Sequence, residues 1–312
     1  MNKKRWLAVF LAIGLLIVSL VSDGLTSNLQ GEKQVSGLNR LLYGNDELSS
    51  TVLEEGNSEE KIVKLTVEGT ITNDGSAGLF STEGYNHKKF LEQLDAIKED
   101  DSIKGIFLEV NSPGGGVYES AEIAKELSEI RNDRKIPMYV SMKNTAASGG
   151  YYISAQADKI YATEETVTGS IGVIMSGLNY SGLLEKLGIE DTTVKSGALK
   201  DIGSSTRPQT QEEQVVLQAY IDNAYNRFVK VVSQGRHKSE EDVKKIADGR
   251  IYDGEQAKKV GLVDEIGYPK DALQAMRKEQ GLKASETSQI LTFLENQGTA
   301  ESPKAMYYYG GE

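Results

Sequence analysis

A chain of 312 residues with 38% hydrophobic content is long enough to bury a sizeable core. Its 35 Lys and Arg against 46 Asp and Glu leave a formal net charge of -11, and the one basic cluster is Lys3-Lys4-Arg5, which argues against a nucleic-acid partner. There is no cysteine, and the only histidines, His87 and His237, share no metal-ligand spacing, so disulfides, thiol nucleophiles and Cys/His metal sites fall away and no cofactor is expected.

Lys3 to Arg5 precede Trp6 to Val21, sixteen residues interrupted only by Gly14 and Ser19. As a helix the run spans about 24 Å, slightly under a hydrocarbon core of about 30 Å, and the flanking cations can snorkel across the difference. No A-x-A-like cleavage site follows Val21, so residues 1–22 read as a basic stub and uncleaved signal anchor rather than a cleaved signal peptide. The positive-inside rule then makes this a single-pass cell-membrane protein with its bulk outside the cytoplasm. Residues 23–60, rich in Gly, Asn, Ser and Glu, read as a polar stalk.

Residues 61–285 form the expected folded domain. Lys61 to Val67 reads as a strand, His87 to Lys98 as an amphipathic helix, and Gly105 to Val110 as an apolar, buried strand running into Asn111-Ser112-Pro113-Gly114-Gly115-Gly116. A helix over 117–131 follows, then a strand over 136–142, a turn over 144–150 and a helix over 151–157 that could begin as early as Ala147. Strand and helix alternating through Gly-rich turns indicate an α/β fold with crossover connections. Two such turns at the carboxyl ends of successive strands should share one site. Further on come a short strand at 159–163, a Gly-bounded apolar segment at 169–174, a helix at 180–187, and capping boxes at Thr210-x-x-Glu213 and Ser239-x-x-Asp242. Residues 286–312 read as one strand, 289–294, and a flexible tail. Its apolar Ala305 to Tyr309 could occupy the protein's own substrate groove, against the plainer readings of a subunit contact or disorder.

Chemistry concentrates in the two turns. In Asn144-Thr145-Ala146-Ala147-Ser148-Gly149-Gly150, small residues let a substrate approach a hydroxyl closely. Residues 111–116 offer backbone N–H groups unobstructed by side chains, as an oxyanion hole requires. Alone, each has a bland explanation, a helix N-cap and a strand-to-helix turn; together they suggest acyl transfer. His87, beside Lys88 and Lys89, and His237, within Gly235-Arg236-His237-Lys238, both look solvated, so a lysine is the expected base. Burial among apolar groups can make a lysine neutral. Lys200, in Ser196-Gly197-Ala198-Leu199-Lys200-Asp201, suits best, although Asp201 could hold it as an ion pair, and Lys143 and Lys195 compete.

The ordered set Asn111-Ser-Pro-Gly-Gly-Gly116, Ala146-Ala-Ser-Gly-Gly-Tyr-Tyr-Ile-Ser154, Thr168-Gly-Ser-Ile-Gly-Val173, Lys195-Ser-Gly-x-x-Lys-Asp201 and Gly249-Arg-x-Tyr252 onward to Gly267 resembles the signal peptide peptidase A family. The resemblance implies a crotonase/Clp-protease-like spiral of ββα units and a serine endopeptidase. It implies Ser148 as nucleophile, Lys200 as general base, Ser170 as the hydroxyl orienting the lysine, and oxyanion donors around Gly114, Gly115 and Gly149. It also implies peptide substrates, residual signal peptides among them, and a homo-oligomer, an octamer, in which neighbouring subunits supply serine and lysine. An acyl-CoA hydratase or isomerase of the same superfamily would share the oxyanion hole but needs positioned acidic bases and a basic CoA-binding surface. A non-catalytic membrane scaffold would not need Ser148, Ser170 and Lys200 together.

Overall fold

A computed structural model of the chain describes residues 50–73, 85–279 and 288–293. The expected anchor, most of the stalk and the tail with Ala305 to Tyr309 lie outside the described residues. Among those described, no helix is long and apolar enough to cross a membrane.

Among the described residues, nine strands form one mixed sheet in the order β1-β9-β2-β3-β4-β5-β8, with β6 pairing β4 and β7 beside it. The strands are β1 (Ser50–Glu54), β2 (Asn57–Glu68), β3 (Ile103–Ser112), β4 (Met138–Ala147), β5 (Lys159–Ala162), β6 (Val167–Gly169), β7 (Ile251–Tyr252), β8 (Glu265–Ile266) and β9 (Ser288–Phe293). The segment from β2 through β3, β4 and β5 to β8 is parallel throughout. The domain therefore starts before residue 61. Ser50–Glu54 pairs antiparallel with β9, and β9 lies parallel to β2, so the last part of the polar stretch is sheet rather than stalk. Its polar composition suits an edge strand, which solvent reaches.

Alternation along the strands divides the core. Val63, Leu65 and Val67 of β2, Ile106, Leu108 and Val110 of β3, and Val140 and Met142 of β4 face one way. They meet Phe90, Leu94 and Ile97 of α1 (His87–Glu99) and Ile123, Leu127 and Ile130 of α2 (Val117–Arg134). On the other face Ile62, Phe107, Tyr139 and Tyr161 pack with Ala272 and Met276 of α8 (Pro269–Glu279).

β4 is longer than its apolar run because it changes partners. Tyr139 to Ser141 pair with β5, whereas Thr145 to Ala147 pair with β6. The polar Lys143-Asn144 stretch lies at the changeover, so the strand continues through what looks in sequence like a turn. The short α3 (Gly149–Ser154) follows directly, shorter than the helix expected over 151–157.

Beyond β6 the chain leaves the body. Between Gly172 and Asn223 the only buried residue is Glu213. This arm contains α4 (Ser181–Lys186) and the first half of α5 (Gln211–Gly235). The apolar segment after Gly169 forms no extended strand: Ile171 is buried against the body, but Ile174 is 88% exposed. The chain rejoins the body where Phe228, Val229 and Val232 of α5 are buried, then continues through α6 (Glu240–Ile246) and α7 (Gly254–Lys259). The expected capping box at Thr210 is present, with Thr210 Oγ1 accepting from the Glu213 N–H and Glu213 accepting from the Thr210 N–H.

α3 is anchored by Tyr151, fully buried, whose hydroxyl donates to the Leu262 carbonyl at 2.9 Å. Tyr151→Phe should cost about 1 kcal/mol and Tyr151→Ala about 3–5 kcal/mol, measured as a lowered denaturant midpoint; a Phe variant as stable as the parent would show that this bond does not hold α3.

Candidate active site

The site forms where β3, β4 and β6 end together. Ala147 of β4 pairs with Gly169 of β6, and the Ser148 N–H donates to the Gly169 carbonyl at 2.9 Å. Ser148 and Ser170 therefore leave adjacent strands at the same level, with a strand spacing of about 4.8 Å. Both are half-buried, and both hold a positive φ, 52° and 49°. At Ser148 ψ is -120°, outside the left-handed helical well. A non-glycine residue in such a conformation costs about 1–3 kcal/mol. The strain turns the Ser148 side chain out at the amino end of α3, and no partner takes its hydroxyl among the described residues.

The glycine loop approaches from β3. Gly114 has φ +102°, and a Cβ there would lie 2.6 Å from the Gly149 nitrogen and 2.8 Å from Ser148 Cβ. A Cβ on Gly115 would sit 2.0 Å from the Ile71 carbonyl oxygen, because Ile71 bridges the loop: its N–H donates to Gly114 and its carbonyl accepts from Gly116. Gly149 lies equally close, with its Cβ position 3.1 Å from the Gly115 nitrogen and 2.4 Å from the buried Ser120 Oγ. The three expected glycines thus stand together with Ser148. Their roles differ. The Gly114 N–H donates to Ser112 Oγ at 3.1 Å, whereas the N–H groups of Gly115 and Gly149 have no acceptor among the described residues. Two free donors lie side by side next to a serine hydroxyl, and Gly149 opens a helix whose dipole favours negative charge there.

Ser170 is held from the opposite side. Its N–H donates to the Arg250 carbonyl at 2.8 Å, and the Gly249 N–H to the Ile171 carbonyl at 3.2 Å. β7 pairs antiparallel with β6 through Thr168 and Tyr252. The Gly249-Arg250-x-Tyr252 motif is therefore the clamp on the Ser170 strand, a structural role that its sequence does not disclose. Ile71 and Ser112, which shape the glycine loop, likewise carry no sequence signal beyond nearness to it.

The histidines serve other contacts. His87 is buried, not solvated. Its Nε2 bonds Glu122 at 2.7 Å and its Nδ1 the Tyr85 hydroxyl at 2.6 Å, so neither ring nitrogen is available to Ser148. The hydrogen bond from His87 holds the Glu122 carboxyl below its ordinary range, and burial pushes the Tyr85 phenol up. His237, in a left-handed conformation with φ 51°, lines a polar cleft of about 380 Å³ with Arg131, Arg236 and Asp264. That cleft lies past the carboxyl end of α3 and contains neither Ser148 nor Lys200.

Among the candidate lysines, Lys143 pairs with Glu68 at 3.7 Å and Lys195 with Asp201 at 2.6 Å. Lys200 has no ion pair among the described residues, and Asp201 is not its partner. The apolar burial expected of Lys200 is absent within one chain: it stands exposed on the arm and makes no hydrogen bond to Ser148 or Ser170. No cluster of three His, Asp or Glu able to share a metal ion occurs among the described residues.

Comparison with known proteins adds identity to this geometry. The Peptidase family S49 profile matches residues 130–283, and the Clp protease profile matches 81–170, the stretch holding β3, β4 and both turns. The SppA protein of Enterococcus faecium, named as a signal peptide peptidase, is 50% identical over 344 aligned positions covering 100% of both chains. A Methanocaldococcus jannaschii protein named as a protease is 45% identical over 70% of each chain. Protease 4 of Haemophilus influenzae is 37% identical over 71% of this chain and 35% of its own length. With a Clp-protease-like α/β fold and this relationship, the chain is a serine peptidase and belongs to the signal peptide peptidase A family.

Proposed function

We propose that the protein is a membrane-anchored endopeptidase that hydrolyses residual signal peptides and other unfolded peptides through a Ser148–Lys200 dyad. The observation that carries this assignment is the pair of unused N–H groups on Gly115 and Gly149, set beside a strained serine that no histidine can reach. Neutral Lys200 takes the proton from Ser148 Oγ as the oxygen adds to the peptide carbonyl carbon. The resulting oxyanion accepts from Gly115 and Gly149, while Gly114 supplies the room for it. Lys200 returns the proton to the departing amine, and water then releases the acyl group. Ser170, one strand over, orients the lysine.

Lys200 completes the site from a second copy of the chain. Its exposure on the isolated arm, and the exposed Ile174, Leu178, Leu187 and Val194 of the same arm, favour an arm that packs on a neighbour, since so many exposed apolar side chains call for a partner. The expected assembly is an octamer. Residues 1–22 tether it to the cell membrane with the catalytic domain outside the cytoplasm, beside the pool of spent signal peptides.

Ser148→Ala and Lys200→Ala should each lower peptide hydrolysis at least about 1,000-fold without changing sedimentation of the assembly; retained cleavage by Lys200→Ala would remove the lysine from the mechanism. Wild-type kcat/KM should climb with pH as the base loses its proton, and a flat profile from about pH 6 to 9 contradicts a lysine base. Mixing Ser148→Ala with Lys200→Ala subunits should restore activity if the dyad is shared between copies, while a dyad within one chain leaves the mixture inactive. Val194→Asp should dissociate the assembly and abolish activity together, as measured by light scattering and peptide cleavage.

A further inference from the structure

The arm holding Lys200 has no hydrophobic core, so something else must fix its shape. Lys200 lies in a run of tight turns in which its N–H donates to Gly197, that of Ile202 to Leu199 and that of Ser204 to Asp201. Turns of this kind are individually weak. Arg207 ties them down. Its Nε donates to Asp201 Oδ2 at 2.8 Å and its Nη2 to Asp201 Oδ1 at 2.7 Å, while Nη1 donates to Glu213 Oε2 at 3.0 Å and Nη2 to Glu213 Oε1. One planar guanidinium thus bridges two carboxylates, a geometry that lysine cannot reproduce. Glu213 caps α5 and is 1% exposed, so the Lys200 turn is fastened to the start of a 25-residue helix. The Arg207 carbonyl in turn accepts from Asn179 Nδ2 at 2.6 Å, which brings in the segment ahead of α4.

The same contacts decide where the Asp201 carboxylate goes. Asp201 follows Lys200 directly, and adjacent residues can form an ion pair, as Lys125 and Glu126 do at 3.5 Å. Instead Arg207 and Lys195 occupy both Asp201 oxygens. The charged groups bordering Asp201 are Lys195, Arg207, Glu213 and, through Ser204 and Thr206, Asp191. A carboxylate released beside Lys200 would favour its ammonium form and oppose its use as a base.

We infer that Arg207 is a positioning residue for catalysis: it fixes the turn that presents Lys200 and keeps the Asp201 carboxylate away from the Lys200 amine. The inference rests on the Ser148–Lys200 dyad proposed above. Two kinds of readout follow from it, one for geometry and one for charge. A residue that merely stabilised the arm would not move the pH at which the base turns on.

The test is kcat and KM against pH for a fluorogenic peptide, using the full chain with its assembly monitored by sedimentation. Arg207→Ala should lower kcat about 30-fold or more with KM within about twofold, and should move the acid limb of kcat/KM up by about one pH unit. Adding Asp201→Asn to Arg207→Ala should return the acid limb to its original pH while kcat stays low, because the carboxylate is gone but the turn is still loose. If Arg207→Ala does not assemble, Arg207→Gln supplies the same comparison, since a neutral amide can neither bridge both carboxylates nor neutralise Asp201. An unshifted acid limb in the assembled variant overturns the inference, whatever happens to kcat. Lys200→Ala is measured alongside: activity there removes the dyad itself, whereas an inactive Lys200→Ala with an unshifted Arg207 variant removes only the part assigned to Arg207.

Discussion

The site depends on how closely two backbones approach where β3 and β4 end. A single methyl group on Gly114 would come within 2.6 Å of the Gly149 nitrogen, and one on Gly115 within 2.0 Å of the Ile71 carbonyl oxygen. These separations are below any tolerable contact, so the loop must be glycine for its N–H groups to stand beside Ser148. The parallel register supplies the other half of the constraint. Because Ala147 pairs with Gly169, the two strands stop together and both following residues take a positive φ. The sheet core, with β3 and β4 buried along most of their lengths, pays for that strain.

Much of this could be read directly from the sequence. The buried run Gly105 to Val110, the helical spacing of α1 and α2 and the capping box at Thr210 are local signals, and each appears where its periodicity places it. The two turns were legible as a shared site because parallel strands deliver their carboxyl ends to one edge. What escaped depends on partners distant in sequence. β4 runs past its apolar stretch because β6 is there to receive it, and Ser50 to Glu54 becomes sheet because β9 lies alongside. His87 has two lysines as sequence neighbours, yet the fold places it between Tyr85 and Glu122, 35 residues away in the second case. Flanking residues report the local surface of a helix, not what a neighbouring helix brings to it.

The arm illustrates a different limit. The small and apolar sequence neighbours of Lys200 suggest burial, but within one chain Ser196, Gly197 and Ala198 are exposed and Leu199 and Ile202 only half-buried. An apolar stretch signals that a surface is to be covered without saying by what. Polar residues, by contrast, hold this segment together internally: Asn179, Asp191, Asp201, Arg207 and Glu213 form the contacts that a core would otherwise provide. The Arg207 guanidinium holds Asp201 well below the ordinary carboxylate range, and Glu213 at about 2. These two anions are therefore firmly ionised at any pH where a peptidase works, so the arm keeps its shape across that range and would lose it only in acid, as falling pH protonates them.

The strained backbone at Ser148 carries a consequence for newly made chains. Its unusual φ and ψ persist only while β3, β4, β6 and the Ile71 bridge are all in place, and those segments span residues 71 to 170. A half-folded chain lacks the neighbours that enforce the turn, and the serine there relaxes to an ordinary conformation with its donors scattered. The arrangement of Ser148 beside the Gly115 and Gly149 N–H groups is thus a property of the finished sheet, complete only once the last of these strands docks.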